Sequence, residues 1–250
     1  MHKIPELYER FAEWWPLVSP HEEYEDDAEA YAMILRDACE HVPESVLELG
    51  SGGGNNAFYL KQHFRMTLVD FSPAMLAVSQ KLNPECEHRQ GDMRTLRLKR
   101  RFDAVFIHDA ILYMRSRADL KKAMKTAWHH CLPGGAALFV PDYTRETFRD
   151  STAHGGYDGR NRSLRYLQWD HDPDPSDTMY NADFAFLLKE GNKPVHVAKD
   201  THICGLFPME EWLACLEETG FEADSATLES DDIEPGFYRV FIGRKNERSS

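Results

Sequence analysis

The chain has 250 residues, of which 42% are hydrophobic and 28% charged, as is usual for a folded globular protein. Its formal net charge of −13 argues against nucleic acid or an anionic membrane as a partner, because those surfaces attract basic proteins. The sequence shows no bilayer-length apolar run, no secretory leader and no CxxC pair among its five cysteines, so we expect a cytoplasmic protein with reduced thiols and no bound metal.

Apolar runs alternate with helical patterns through residues 1–140, which predicts βαβ units and a parallel sheet. A helix carrying Tyr31, Ile34, Leu35 and Ala38 on one face precedes the first strand. The predicted strands are Ser45–Leu49, Met66–Val69, a short strand ending near Gln90, Phe102–Ile107 and Ala136–Val140. Before the last of these, a helix from Asp119 to Cys131 is ended by the turn at 133–135.

The pattern changes after Pro141. Residues 144–162 are polar and without periodicity, so we expect irregular structure there. Three antiparallel strands are predicted next, at Leu164–Trp169, Tyr180–Leu188 and Val195–Cys204, the last two joined by a turn at 189–193. The chain then returns to a helix that has Pro208 at its first position and ends at Gly220, a strand pair at Ala223–Leu228 and Tyr238–Gly243, and a disordered tail from Arg244 to Ser250.

A glycine-rich loop follows the first predicted strand. The sequence VLELGSGGGNN at 46–56 joins that strand to a predicted helix. Glycines in this position let the backbone turn tightly and let a ligand approach closely. The loop alone predicts a nucleotide-type cofactor no better than it predicts a plain strand-to-helix turn.

Two acidic residues follow later strands of the same sheet. Asp70 ends the second strand about 20 residues after the first loop glycine, where a carboxylate can accept hydrogen bonds from two ribose hydroxyls. Because Ser72 and Pro73 already supply the cap and first position of the next helix, Asp70 is available for that role. Asp92, in GDMR at 91–94, can accept from the exocyclic amine of adenine, with Met93 packed on the base. A plain helix cap is the alternative for Asp92.

Two cofactors fit this arrangement. The dinucleotide pattern GxGxxG or GxGxxA fails from Gly50, because Asn55 stands at its third glycine. It is met loosely from Gly52 to Ala57, so the spacing alone leaves NAD open.

Five segments, in order, resemble the class I S-adenosylmethionine (SAM)-dependent methyltransferases: ELGSGGG at 48–54, LVDFSPAML at 68–76, GDM at 91–93, FDAVFIHD at 102–109 and LPGGAAL at 132–138. The resemblance implies an α/β fold, with a Rossmann-like, seven-stranded, mostly parallel sheet whose last strand is reversed. It also implies SAM as the cofactor, S-adenosylhomocysteine as its product, and cofactor contacts at Glu48, Gly50, Ser51, Gly52, Gly54, Asp70, Phe71, Ser72, Met75, Asp92, Met93, Arg94 and His108.

Outside the core the chain is similar to small-molecule N-methyltransferases that dimethylate amino sugars, which have an N-terminal helical lid and an antiparallel cap inserted after the fifth strand. This similarity predicts a lid at 1–40, a SAM-binding core at 41–143 and 205–246, and a β cap at 144–204. A homodimer through the exposed cap strands is a further expectation.

Methyl transfer needs an aligned nucleophile and exclusion of water more than it needs a strong base. We expect the catalytic residues to be His108, Asp109 and Tyr8, where the end of the fourth strand meets the lid. Other lid aromatics, Phe11, Trp14 and Trp15, could close over a cation, although packing explains each of them singly. The candidates for substrate contact are Tyr24, Tyr113, His154, Tyr166, Trp169 and His202.

The resemblance therefore implies a methyltransferase for a small molecule, and an amine nitrogen is the first acceptor hypothesis because of the acidic charge and the similarity of the cap to that of the N-methyltransferases. A small-molecule O-methyltransferase is the main alternative. An NAD-dependent oxidoreductase and a SAM-binding protein without catalysis are the others. His171, in the acidic run 170–177, could imitate a metal ligand, but the calcium-loop pattern is absent and we expect no metal site.

Overall fold

A computed structural model describes residues 4–228 and 238–246 of the chain. Its larger sheet has seven strands in the order β10-β11-β5-β4-β1-β2-β3, with β11 antiparallel to both of its neighbours. The other ladders of this sheet are parallel. The seven strands are β1 Ser45–Leu49, β2 Arg65–Asp70, β3 Glu87–Gln90, β4 Phe102–Ile107, β5 Cys131–Phe139, β10 Glu222–Leu228 and β11 Tyr238–Lys245. The predicted fold class, with its reversed last strand, is confirmed.

Helices cover both faces of this sheet, which explains why its inner strands β1, β4 and β5 are mostly apolar and buried, whereas the edge strands β3 and β10 are polar. Alternate residues of one strand enter different cores: Leu47 packs with the residues of α5 and α6, and Val46 packs with those of α2. The α-helices are α1 Trp15–Val18, α2 Glu25–Ala38, α3 Asn55–Leu60, α4 Pro73–Leu82, α5 Arg117–His130 and α6 Met209–Thr219. None of the helices in the described ranges is long and apolar enough to cross a membrane.

Local chemistry fixes the helix ends that border the site. Ser72 caps α4 by accepting the Met75 N–H at 3.2 Å, and Pro73 is the first helical residue, as predicted. Pro208 was predicted to be the first residue of α6. In the structure it is the N-cap, and the helix begins one residue later at Met209. Gly220 ends α6 with a φ of 109°, as expected.

The second sheet has four antiparallel strands, and the sequence predicted only three. They are β6 Ser151–Gly155, β7 Arg162–His171, β8 Met179–Glu190 and β9 His196–Gly205. The missed strand β6 is short and mostly exposed, so it has no alternation of apolar and polar residues for a sequence pattern to detect. It is held by pairing with β7 from Ser151 to Gly155.

The N-terminal segment contacts both the four-stranded sheet and the core that contains the larger sheet. It contains short 3₁₀ helices at Glu6–Tyr8, Ala12–Trp14 and His21–Tyr24, in addition to α1 and α2. Leu7 and Phe11 pack on the inner face of the four-stranded sheet, whereas Ala12 packs on Met75 and Val78 of α4. The division into lid, core and cap at residues 40, 143 and 205 stays a prediction.

The predicted disordered tail begins too early. Arg244 and Lys245 belong to β11, and the Lys245 ammonium is buried, where it donates to the carbonyls of Trp128 and Cys131 at 2.8 and 2.9 Å. Backbone pairing with β5 explains the order of these two residues. The rest of the predicted tail, residues 247–250, lies outside the described part of the chain.

Candidate active site

The glycine loop forms the floor of a cavity at the carboxyl ends of the parallel strands. Gly50 has a φ of 79°, and a Cβ at this position would lie 2.2 Å from the Ala110 Cβ and 2.9 Å from the Met93 Cε. Only a glycine combines this left-handed backbone with so close an approach. The loop is therefore held against the segments that follow β3 and β4.

Asp70 ties this loop to the end of β2. Its Oδ2 accepts the Gly52 N–H at 2.8 Å, and its Oδ1 accepts the Ser72 N–H at 2.8 Å. Burial raises the pKa of the carboxyl, although these backbone donors oppose the shift. Each oxygen keeps a further lone pair, so the predicted role in binding ribose hydroxyls is compatible with the geometry.

Replacing Asp70 by alanine is expected to weaken S-adenosylhomocysteine binding by about 1–3 kcal/mol, because a hydrogen-bond acceptor for the ligand is lost. Isothermal titration calorimetry on the wild type and Asp70→Ala measures the difference. Asp172→Ala, in the turn between β7 and β8 and outside the cavity lining, is the control and should bind like the wild type. Equal affinities for wild type and Asp70→Ala would exclude Asp70 from the cofactor site.

Glu48 is a buried carboxyl in β1. Its Oε2 has no hydrogen-bond partner among the described residues, and its side chain faces the same cavity. Burial, with a smaller contribution from the charge of Asp70, raises the pKa of Glu48 to about 8. An unpaired buried acid beside the glycine loop fits a cofactor that carries positive charge, as SAM does.

The raised pKa of Glu48 predicts a pH-dependent stability difference from Glu48→Gln. The folded carboxyl holds its proton up to about pH 8, whereas in the unfolded chain it ionises near 4.5. Between these two pH values the carboxyl ionises more readily in the unfolded chain than in the folded protein. The ligand-free wild type therefore becomes progressively less stable as the pH rises from about 4.5 to about 8. In urea unfolding, we expect the free energy of unfolding of Glu48→Gln to equal that of the wild type below pH 4.5. Between pH 4.5 and pH 8 it should exceed the wild-type value by an amount that grows with pH. A constant difference across this range would contradict the shift.

Asp92 lies on the other side of the loop and is paired with Arg94. The Arg94 guanidinium donates to both Asp92 oxygens, with the shortest contact at 2.6 Å, and the Arg94 N–H donates to the same carboxylate. Burial opposes ionisation of Asp92, but these bonds lower its pKa below the ordinary value. Asp92 is thus an oriented anion, and its contact with adenine stays a prediction.

The cavity has a volume of about 470 Å³, in the usual range for small-molecule sites. It brings together most of the predicted residues, with Tyr8, Tyr24, Tyr113, Tyr166 and His202 opposite the loop. From the glycine-loop side come the remaining ones: Glu48, Gly50, Ser51, Gly52, Asp70, Phe71, Ser72, Met75, Asp92, Met93, Arg94, His108 and Asp109. The roles assigned to these residues stay predictions.

The N-terminal segment covers the cavity with aromatic side chains. The Trp15 indole packs so closely on Gly53 that a Cβ there would lie 2.3 Å from its Cδ1. Tyr24 donates to or accepts from the Ser19 hydroxyl at 2.7 Å, and burial raises the pKa of Tyr24 to about 12, so it is a neutral hydroxyl. Phe11 and Trp14 lie outside the cavity lining and serve packing.

His108 and Asp109 form an acidic cluster with Asp142 where β4 and β5 end. His108 Nδ1 lies 3.1 Å from Asp109 Oδ2. Burial opposes ionisation of Asp109, but the charge and hydrogen bond of His108 lower its pKa below the ordinary value. Burial, and then the charge of Asp109, raises the pKa of Asp142 well above its usual range. We therefore assign the carboxylate to Asp109 and a proton to Asp142.

Three predicted residues are not brought to the cavity. Gly54 has a φ of 81° and turns the chain into α3 against Ser79 and Asn83. His154 and Trp169 lie on the outer face of the four-stranded sheet, because His154 pairs with Leu167 and Trp169 with Asp183. Side chains alternate along β7, so Tyr166 faces the cavity and Trp169, three residues on, is 60% exposed. The structure therefore places Trp169 and His154 away from the cavity in which they were predicted to contact the substrate.

Sequence reasoning missed three acids around the cavity and its entrance: Asp142, Asp170 and Asp200. Asp142 follows β5, and a search of every strand's carboxyl end would have found it. Asp170 stands at the inward positions of β7 with Tyr166 and Gln168, and it is buried rather than part of an exposed turn. Asp200 has no signal in the sequence beyond its place in β9.

Comparison with known proteins agrees with this site. Residues 46–135 match the family described as a methyltransferase domain. The chain is 26% identical to a dTDP-3-amino-3,4,6-trideoxy-α-D-glucopyranose N,N-dimethyltransferase of Streptomyces venezuelae, over 81% of this chain and 85% of that protein.

Two solved structures share the whole fold. The DesVI protein of Streptomyces venezuelae superimposes with a TM-score of 0.82 at 22% identity, covering 94% of this chain and 98% of that one. The sugar N-methyltransferase KedS8 of Streptoalloteichus sp. superimposes with a TM-score of 0.79 at 24% identity, covering 99% and 96%.

The family match decides between the two cofactors that the sequence left open, in favour of SAM and against NAD. The loop from Glu48 to Gly52, the oriented carboxylate of Asp70 and the unpaired acid at Glu48 fit that cofactor. The chain therefore contains a SAM-dependent methyltransferase domain, matched at residues 46–135.

Proposed function

We propose that this enzyme methylates an amine nitrogen of a small, sugar-like molecule. The acidity of the cavity carries the proposal. Seven carboxyl side chains and one guanidinium, that of Arg94, are among its described lining residues, and Arg94 is already paired with Asp92. The carboxyls are those of Glu23, Glu48, Asp70, Asp92, Asp109, Asp142 and Asp170. Glu48 and Asp142 hold protons in the ligand-free enzyme, and the carboxylates that remain favour a cationic ligand and oppose a carboxylate acceptor.

The pair Asp109 and Asp142 is the best candidate for holding the amine. Asp109 Oδ1 is buried and accepts no hydrogen bond from an N–H or hydroxyl group of the described residues. The proton that Asp142 holds next to Asp109 is the one that a bound ammonium group would displace. Both side chains lie beside His108 at the carboxyl end of the sheet, the edge that also carries the glycine loop. The similarity to enzymes that are named as sugar N-methyltransferases supports the same class of acceptor.

When bound, SAM supplies an electrophilic methyl group, and the protein's own residues orient the acceptor and exclude water. The carboxylates orient the amine, and Tyr8, Trp15 and Tyr24 cover the cavity against water. No described side chain needs to attack covalently, because the amine is itself the nucleophile once it has lost its proton.

The test is a methyl-transfer assay with matched acceptors. The first probe is dTDP-3-amino-3,4,6-trideoxy-α-D-glucopyranose, compared with the same sugar without the nucleotide and with a 3-hydroxy counterpart. We expect N-methylated products by mass spectrometry. In Asp142→Asn the KM for the amine should rise about 10- to 100-fold, as for a lost charge-assisted hydrogen bond, with the affinity for S-adenosylhomocysteine unchanged.

Asp172→Asn, on the exposed turn between β7 and β8, is the matched control and should behave as the wild type. Exclusive O-methylation would replace the proposal with the O-methyltransferase alternative. Tight binding of S-adenosylhomocysteine without turnover of any acceptor would favour a non-catalytic protein.

We also propose a homodimer through the outer face of the four-stranded sheet. Four large apolar side chains on neighbouring strands are exposed on this face: Leu167, Trp169, Leu187 and Val197. Several large apolar side chains exposed on one sheet face favour a protein partner, and a second copy of this chain presents the same face. Sedimentation equilibrium should show a dimer that Trp169→Asp with Leu187→Asp converts to a monomer, and a monomeric wild type would exclude it.

A further inference from the structure

A chain of hydrogen-bonded side chains leads out of the cavity. Tyr113 Oη lies 3.1 Å from Tyr8 Oη and 2.9 Å from His202 Nδ1. His202 Nε2 lies 3.3 Å from Asp200 Oδ2. Tyr8, Tyr113 and His202 line the cavity, whereas Tyr113 and Asp200 line an adjoining groove of about 410 Å³. The chain therefore connects the acceptor's cavity to a second opening.

We propose that Tyr8, Tyr113, His202 and Asp200 form a relay that carries the acceptor's proton from the active site to the groove. The inference rests on the proposed amine acceptor, which arrives as an ammonium ion and must lose a proton before it can attack.

The relay balances as three coupled transfers. The ammonium gives its proton to Tyr8 Oη, the Tyr8 hydroxyl proton passes to Tyr113 Oη, and the Tyr113 proton passes to His202 Nδ1. His202 becomes an imidazolium paired with the Asp200 carboxylate, and the proton then leaves through the groove. The free amine lone pair forms the new N–C bond, while the C–S bond electrons return to sulfur.

The surroundings of the relay hold its members in position. The His202 ring is buried, and its centroid lies 4.8 Å from that of the Phe184 ring and 5.3 Å from that of the Tyr8 ring. Asp200 Oδ2 also accepts the Leu7 N–H at 2.9 Å, so the N-terminal segment and β9 are fixed together at the end of the relay. Burial raises the pKa of both tyrosines, which keeps them neutral hydroxyls that can accept and donate in turn.

The titratable and charged groups around His202 are few. Tyr8 and Tyr113 face it from the N-terminal segment and from the turn after β4, and Asp200 and Cys204 share its face of β9. The neighbouring strand β8 presents Phe184 and Tyr180. The groove beyond Asp200 carries Glu6, Arg115 and Lys199. Within this set the His202 imidazole is the group that can accept a proton at one nitrogen while the other nitrogen donates to a carboxylate.

The experiment compares His202→Gln and Tyr113→Phe with the wild type from pH 6.5 to 9.5, using the amino sugar that the wild type methylates. At pH 7 we expect the single-turnover rate constant of methyl transfer to fall by about 100-fold, the lower range for a general base. The deficit should shrink toward pH 9.5, where the acceptor arrives as a free amine. His154→Gln, on the outer face of the same sheet, and Tyr59→Phe, in the core, are the matched controls.

Calorimetry with S-adenosylhomocysteine shows whether each variant is folded. A second measurement needs no variant: the wild type should have a normal solvent isotope effect in D₂O on the methyl-transfer step at pH 7 that disappears at pH 9.5. A deficit that is constant with pH, or no isotope effect, would overturn the relay while wild-type N-methylation still stands. A wild type that methylates no amine would overturn the proposed function and the relay with it.

Discussion

Gly50→Ala is expected to weaken S-adenosylhomocysteine binding by about 30- to 150-fold, or about 2–3 kcal/mol. The loss has two causes. A left-handed backbone at φ 79° is strained for any residue with a Cβ, and the new methyl group would lie 2.2 Å from the Ala110 Cβ. The loop would have to move away from the end of β4, and it is this loop that the Gly52 N–H anchors to Asp70. Calorimetry measures the affinity.

A double variant separates the two causes. Gly50→Ala with Ala110→Gly removes the closest clash but leaves the backbone strain, so it should recover part of the lost affinity. Gly159→Ala, outside the cavity lining, is the control, because a Cβ there meets nothing closer than 3.3 Å. Wild-type affinity in Gly50→Ala alone would show that the loop conformation does not matter for the cofactor.

Trp212→Ala is expected to lower the free energy of unfolding by about 3–5 kcal/mol, which is a large share of a domain's stability. The Trp212 side chain is buried in the core under α6, stacked on Phe241 of β11 with ring centroids 4.9 Å apart. Its removal leaves a cavity between α6 and the reversed strand that closes the sheet. Urea unfolding followed by circular dichroism measures the loss.

Trp212→Phe distinguishes packing from polarity at the same site. The Trp212 Nε1 is buried without a hydrogen-bond partner among the described residues, so phenylalanine removes an unsatisfied donor while keeping an aromatic ring. We expect this variant to lose far less stability than Trp212→Ala. Met33→Ala, at a side chain that is 62% exposed, should stay within about 0.5 kcal/mol of the wild type. Equal losses in the alanine and phenylalanine variants would contradict packing as the cause.

The sequence predicted the core of this fold well because the core is repetitive. Strands β1 and β4 were predicted to the residue, since a buried parallel strand is a short apolar run between clear turn signals. The cofactor side of the site followed from fixed spacings between a glycine loop and the strand ends. Asp70 and Glu48, which the resemblance to methyltransferases assigns to the cofactor, both line the cavity, and their roles stay predictions.

The acceptor side was predicted less well because it depends on which face of a strand a residue occupies. His154 and Trp169 are chemically suitable for a substrate, but the register of β6 and β7 turns both of them outward. Asp200 was missed for the opposite reason: it is polar in an exposed-looking edge strand, and only the structure brings it to His202 and the Leu7 N–H. Contacts between distant segments leave no local pattern in the sequence.

The position of the N-terminal segment has a consequence for the speed of the enzyme. Its Tyr8 carbonyl accepts the Ser72 hydroxyl beside the cofactor loop, its Leu7 N–H is bound by Asp200 of the other sheet, and its Trp15 lies over Gly53. We expect the release of a spent cofactor to require several of these contacts to open together. We therefore expect product release, rather than bond making, to limit turnover at saturating substrate. Burst kinetics in the first turnover would follow from this arrangement.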